Sequence, residues 1–188
     1  MNIEDKTRFH DAVQLHKTGD LDAAIIAYLD CLQDQPKSTE VCYNLATAYG
    51  QLGQWFSAIK YYQQALEVQP QAVQVLHNLS LAFLNTEQFG AAIVHLQQVV
   101  ALQPEHFGAQ HLLACLLFKT DNAHEAREHY EAALACQEQA QDDEDLLQLH
   151  YNFAVMLLTV GDLNAALSQL KLAHARSEEH TSELQSPD

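Results

Sequence analysis

Pro36, Pro70 and Pro104 stand 34 residues apart, and each closes an apolar pattern of helical spacing after which another opens. A fixed period of that length means a repeated helix-turn-helix unit. One such unit cannot bury its apolar stripe alone, so neighbours must stack, with contacts mainly between adjacent units. Aligned on the prolines, Gly19 and Gly53 share one register, Ala24, Ala58 and Ala92 another, and Tyr28, Tyr62 and Leu96 a third. Small residues such as Ala46, Ala58 and Ala65 let two antiparallel helices approach closely, while Leu45, Tyr49, Tyr62 and Leu66 fill the space between them.

The unit CYNLATAYGQLGQWFSAIKYYQQALEVQP, Cys42 to Pro70, nearly matches the consensus of the tetratricopeptide repeat, and the chain resembles that family. The resemblance implies an all-α, right-handed superhelical α-solenoid of about five hairpins. They are placed at 5–38, 39–72, 73–106, 107–140 and 147–180, with a short insertion at 141–146, so that 1–175 form the repeat domain. The fourth unit keeps Leu113, Ala114, Leu117, Ala126, Tyr130 and Ala133 but has Asp121 in place of glycine and Glu138 in place of proline. The fifth keeps Phe153, Ala154, Leu157, Gly161, Ala166 and Ala173. The first has Asp11 where the family has a large apolar residue, which predicts a loosely packed first helix.

The segment RSEEHTSELQSP, Arg176 to Pro187, has no apolar periodicity and resembles the in-frame translation of a sequencing-adapter oligonucleotide, so 176–188 are read as a non-native tail. On that reading the fifth hairpin has no polar capping helix of the kind solenoids use to cover the last apolar face. Two further readings follow. The repeats are the N-terminal recruiting module of a longer enzyme, such as the methyltransferases or glycosyltransferases that follow such repeats in bacteria, or they self-associate through the uncapped end.

Charge narrows the partners. Nine Lys and Arg face 25 Asp and Glu, a formal charge of −16, which repels phosphate backbones and anionic membrane surfaces and argues against nucleic acid. No stretch approaches the roughly 20 apolar residues that span a bilayer, and the N-terminus lacks a secretory pattern, giving a cytoplasmic expectation. Cys31, Cys42, Cys115 and Cys136 are far apart and read as reduced, packed thiols. The acidic run Asp142 to Asp145 precedes an apolar helical pattern and reads as a cap on its free N–H groups.

Catalysis and metals find little footing. His124 and His129 in HEAREH are five residues apart, about 140° around a helix, whereas helical zinc pairs sit four apart on one face. No G-x-S-x-G, Walker-type loop or G-x-G-x-x-G occurs, so no catalytic residue, metal or cofactor is expected.

In this family the first helix of each hairpin lines the binding groove, which implies a protein or peptide partner: an extended segment or an amphipathic helix. Transferred by register, the groove holds Tyr43, Asn44 and Thr47, then His77, Asn78, Leu81 and Leu84, then His111, Leu112, Cys115 and Phe118, and finally Tyr151, Asn152, Val155 and Leu158. Asn44, Asn78 and Asn152 share one register and suggest an amide ladder for a peptide backbone. The many apolar residues of repeats three to five suggest a surface that something covers. The carboxylate clamp known in the family is not expected, because its positions hold Phe9, Val13, Asn44, Gln74 and Asn78 without a cation.

Overall fold

Helix boundaries follow from where the backbone can and cannot continue. In the computed structural model, which describes residues 3–140 and 142–184, ten α-helices run in order: α1 (Ile3–Lys17), α2 (Leu21–Asp34), α3 (Thr39–Gln51), α4 (Trp55–Val68), α5 (Val73–Asn85), α6 (Phe89–Leu102), α7 (Phe107–Lys119), α8 (Ala123–Ala135), α9 (Asp143–Thr159) and α10 (Leu163–Leu184). A 3-10 turn, Gln137–Gln139, follows α8, and the described residues contain no strand. The helices are joined in succession as five hairpins, the all-α architecture the periodicity predicts.

Within each hairpin the turn is the same device. Gly19, Gly53 and Gly161 have φ of 84°, 71° and 84°, and the equivalent Glu87 and Asp121 adopt 59° and 66°. The following residue donates its N–H back five residues in all five turns: Asp20 to Leu15, Gln54 to Tyr49, Gln88 to Phe83, Asn122 to Leu117 and Asp162 to Leu157. This left-handed closure satisfies the last carbonyls of the first helix, and the hydrogen bonds hold it even where glycine is missing. Between hairpins, α2, α4 and α6 each stop two residues before Pro36, Pro70 and Pro104. Where Glu138 replaces the proline, the chain passes through the 3-10 turn instead, and α9 starts within the six-residue insertion. Asp142 caps it, its carboxylate accepting from Asp145 N at 2.9 Å, with Asp143, Glu144 and Asp145 in the first turn, as the acidic run predicts.

The chain divides into two compact units, Met1–Gln98 and Val99–Asp188, the division falling inside α6. In the first unit Ala12, Ala24, Ile25, Tyr28, Val41, Leu45 and Ala48 form one cluster against which Phe9, Val13 and Leu21 pack. The first helix is therefore tied in, not loose. Asp11 points to solvent, and Arg8 pairs with Asp34 at 2.7 Å while Gln35 donates to Asp5 at 3.0 Å.

In the second unit Leu113, Ala114, Leu116, Leu149, Phe153, Ala154, Met156 and Leu157 are buried, and Tyr130 stacks on Phe153 at 5.0 Å. Across both units, Ala24, Ala58, Ala92, Ala126 and Ala166 share a register and are fully buried, where a larger side chain would hold the packed helices apart. In α10 the helix continues past Arg176, whose guanidinium donates to Asp143 at 3.0 Å. The end of the adapter-like segment, 185–188, lies outside the described residues.

Candidate functional site

The fifteen groove positions read from the sequence all lie on the first helices of hairpins two to five. In the first unit α3 carries Tyr43, Asn44 and Thr47, and α5 carries His77, Asn78, Leu81 and Leu84; all are half-buried, while Leu45 and Leu79 beside them are fully buried. In the second unit α7 carries His111, Leu112, Cys115 and Phe118, half-buried, and α9 carries half-buried Asn152 with exposed Tyr151, Val155 and Leu158. Each first helix thus turns one face to the core and keeps a second one at the surface.

The structure gives the asparagine register a use within the protein. In the first unit Asn78 Nδ2 donates to the Tyr43 hydroxyl at 3.0 Å, tying α5 to α3, and Thr47 Oγ1 lies 3.1 Å from the Tyr62 hydroxyl. Burial raises the Tyr62 phenol, so it stays protonated and able to donate. In the second unit the same cluster recurs with other residues: Asn152 Nδ2 lies 3.2 Å from His111 Nε2 and 3.5 Å from Cys115 Sγ, and the Tyr130 hydroxyl donates to Cys115 Sγ at 3.4 Å. Tyr43 and His111, Thr47 and Cys115, and Tyr62 and Tyr130 are equivalent pairs two repeats apart. Gln148 Nε2 also donates to Asn152 Oδ1 at 2.8 Å, so both ends of that amide are engaged. Asn44 instead donates to the Glu40 carbonyl of its own helix at 2.9 Å.

His111, Cys115 and Asn152 form a grouping that could be mistaken for a nucleophilic site. Burial pushes the His111 imidazole down to about 4 against only a small opposing pull from Asp145, and pushes the Cys115 thiol up. Both shifts oppose a thiolate–imidazolium pair, the state such chemistry needs. Neutral His111 accepts at Nε2 from Asn152 and so carries its proton on Nδ1.

A second polar pair, not visible from either residue alone, joins the two helices of each hairpin in the second unit. His129 Nδ1 meets Gln110 Oε1 at 2.7 Å, and His150 Nδ1 meets Gln169 Oε1 at 2.7 Å. Allowing for the insertion, Gln110 and His150 are equivalent, as are His129 and Gln169, so the pair is kept with its members exchanged. Gln110 also donates from Nε2 to the Pro104 carbonyl at 2.6 Å. No buried side-chain polar atom among the described residues lacks a partner. The exchange in one register is the signal that sequence reasoning could have used.

Residues 38–105 match the family model described as tetratricopeptide repeat, and residues 80–184 match that of the TT21 fifth ARM repeats domain. No curated protein matches the chain. Among solved structures, the MamA RS-1 ArsTM double mutant is 16% identical over 97% of this chain and 99% of its own, with a TM-score of 0.88. MamA 41-end from Desulfovibrio magneticus RS-1 is 16% identical over 95% of this chain and 98% of its own, with a TM-score of 0.86. A crystal structure of MamA is 20% identical over 97% of this chain and 98% of its own, with a TM-score of 0.83. At these identities the likeness is one of fold. With the shared registers described above and two family models that together run from 38 to 184, the chain belongs to the tetratricopeptide repeat family, its residues 80–184 matching the TT21 fifth ARM repeats domain.

Proposed function

We propose that this chain is a non-catalytic scaffold that binds a protein or peptide segment along the first helices of its hairpins. The observation that carries the reading is the outward face of those helices, which is rich in apolar side chains at Leu81 and Leu84 in the first unit and at Leu112, Phe118, Val155 and Leu158 in the second. Water-facing apolar surface of this kind marks a place where another molecule docks. The fifteen positions include no Lys or Arg, so affinity comes from apolar contact and from amide and hydroxyl hydrogen bonds rather than from gripping a carboxylate. The opposed pKa shifts of His111 and Cys115 support a binding rather than a catalytic role. Four free cysteines, two of them buried, support a reducing, cytoplasmic setting.

Replacing Leu84 and Phe118 together with asparagine tests the proposal. Affinity capture from the source cells, quantified by mass spectrometry, loses its partner while far-ultraviolet circular dichroism and melting temperature stay near those of the parent chain. Undiminished capture by the folded variant sinks the reading.

A further inference from the structure

We infer that the turn edge of the second hairpin carries a second docking surface, a cleft beside Trp55 and Phe56 that takes a polyproline II segment of a partner protein. Two residues here differ from those of every other hairpin in their registers. Phe56 stands where the others have Asp22, Gly90, His124 and Asn164, and at 76% it is the most exposed of the described large apolar residues. Packing of the repeats does not call for it. Gly50 stands where the others have His16, Leu84, Phe118 and Leu158, and a Cβ built there would lie 3.3 Å from Cζ3 of Trp55. The missing side chain lets the six-membered ring of the indole settle against α3, with the N–H on the other ring. Gln54 holds the cap position of α4, yet its amide makes no cap bond, whereas Asp20 and Asp162 in that register accept from Ala23 N and Ala165 N at 3.2 Å.

The cleft, about 350 Å³, lies within the first unit between Trp55, Phe56 and Ser57 on one turn and Asn85 and Thr86 on the next. Asn85 Nδ2 is held by the Leu81 carbonyl at 2.8 Å, and Thr86 Oγ1 accepts from Gln88 at 2.9 Å. The Trp55 indole N–H, the Gln54 amide and the Ser57 hydroxyl have no partner among the described residues, and since no buried polar atom there lacks one, these groups face water. That chemistry selects the occupant. No lining residue is charged, so a cationic or anionic side chain would lose water there without gaining a counter-ion. A helix pairs its carbonyls internally, and the described residues contain no strand whose edge an extended peptide could join. A polyproline II segment keeps its carbonyls unpaired for the indole and amide donors and sets pyrrolidine rings on aromatic faces. The four prolines of this chain stand singly, so a second copy supplies no such segment. The occupant is a proline-rich segment of a different protein, and this surface does not depend on the groove reading above.

Trp55 is the chain's only tryptophan, so its emission reports on the cleft directly. The probe is a labelled peptide of about ten prolines, a preformed polyproline II helix, titrated into the intact chain and followed by fluorescence anisotropy beside a flexible glycine–serine peptide of equal length. Saturable one-to-one binding of the proline peptide alone is expected, with Trp55 emission moving to the blue and becoming harder to quench with acrylamide. Phe56→Asn, which copies Asn164 of the fifth hairpin, should weaken binding about ten-fold or more with circular dichroism unchanged. Trp55→Phe keeps an aromatic ring but deletes the N–H, and should weaken binding about five-fold, the effect of one hydrogen bond. Absence of saturation, equal binding of the glycine–serine peptide, or full affinity for both variants overturns the inference. Loss on Leu84→Asn with Phe118→Asn would place the peptide in the groove and overturn it too. So would an indole already shielded from acrylamide before peptide is added, because another part of the chain would then occupy the cleft.

Discussion

Exchanging Gln110 and His129 puts the polar tie of the fourth hairpin into the orientation that the fifth already uses. Gln110 is 6% exposed; its Oε1 accepts from His129 Nδ1 at 2.7 Å and its Nε2 donates to the Pro104 carbonyl at 2.6 Å. A net hydrogen bond contributes about 1 kcal/mol, and stripping the partner from a buried polar atom costs about 1–3 kcal/mol. His129→Ala strands the buried Oε1 and should cost about 2 kcal/mol. Gln110→Ala loses both bonds and leaves a cavity, for about 3 kcal/mol. The double exchange Gln110→His, His129→Gln rebuilds the Nδ1–H to Oε1 bond and gives up only the Pro104 donor, so about 1 kcal/mol is expected. Urea unfolding followed by circular dichroism near neutral pH measures all three, with the slope on urea checked for constancy between variants. If the exchange destabilises the chain as much as Gln110→Ala does, the pair is not the tie described.

Burial lowers His111 from 6.5 to about 4 and lowers His129 as well, so the unfolded chain takes up these protons first. The contribution of neutral His111 is complete above about pH 6.5 and fades as the pH falls toward 4, with about 2 kcal/mol gone near pH 5, and His111→Gln should remove that part of the slope in pH-dependent melting. Asp121 closes its turn at a φ of 66°, where glycine is unstrained, so Asp121→Gly should stabilise by about 0.5–1 kcal/mol in the same urea assay. A loss of stability there would mean that the aspartate makes a compensating contact.

The hairpins were legible because their determinants are local and recur. Prolines end the second helices, glycines close the turns, and alanines mark where the helices cross, so each register can be read from the chain. What escaped reading depends on partners outside the local window. Asn78 and Asn152 were recognisable as one register, but their ties to Tyr43 and His111 span 35 and 41 residues and join neighbouring hairpins. His129 drew attention only as part of a failed zinc spacing, because its partner Gln110 lies on another helix. Asp121 looked like a departure from the turn, yet the backbone bond from Asn122 to Leu117 holds the turn without glycine. The apolar residues of repeats three to five read as a groove, a pattern of first helices that does not take in Leu163 and Leu167 on α10. Their exposure is evident only beside the buried Ile25 and Tyr28 of an inner hairpin.

Mapping a bound peptide by hydrogen exchange tests the central claim most directly. A peptide selected from a random library against the intact chain should slow exchange along the first helices within a unit, α3 and α5 in the first or α7 and α9 in the second, and lose that protection with Leu84→Asn and Phe118→Asn. Protection confined to the second helices α2, α4 and α8, or selection that yields no saturable binder, would contradict the reading of this chain as a scaffold that binds along its first helices.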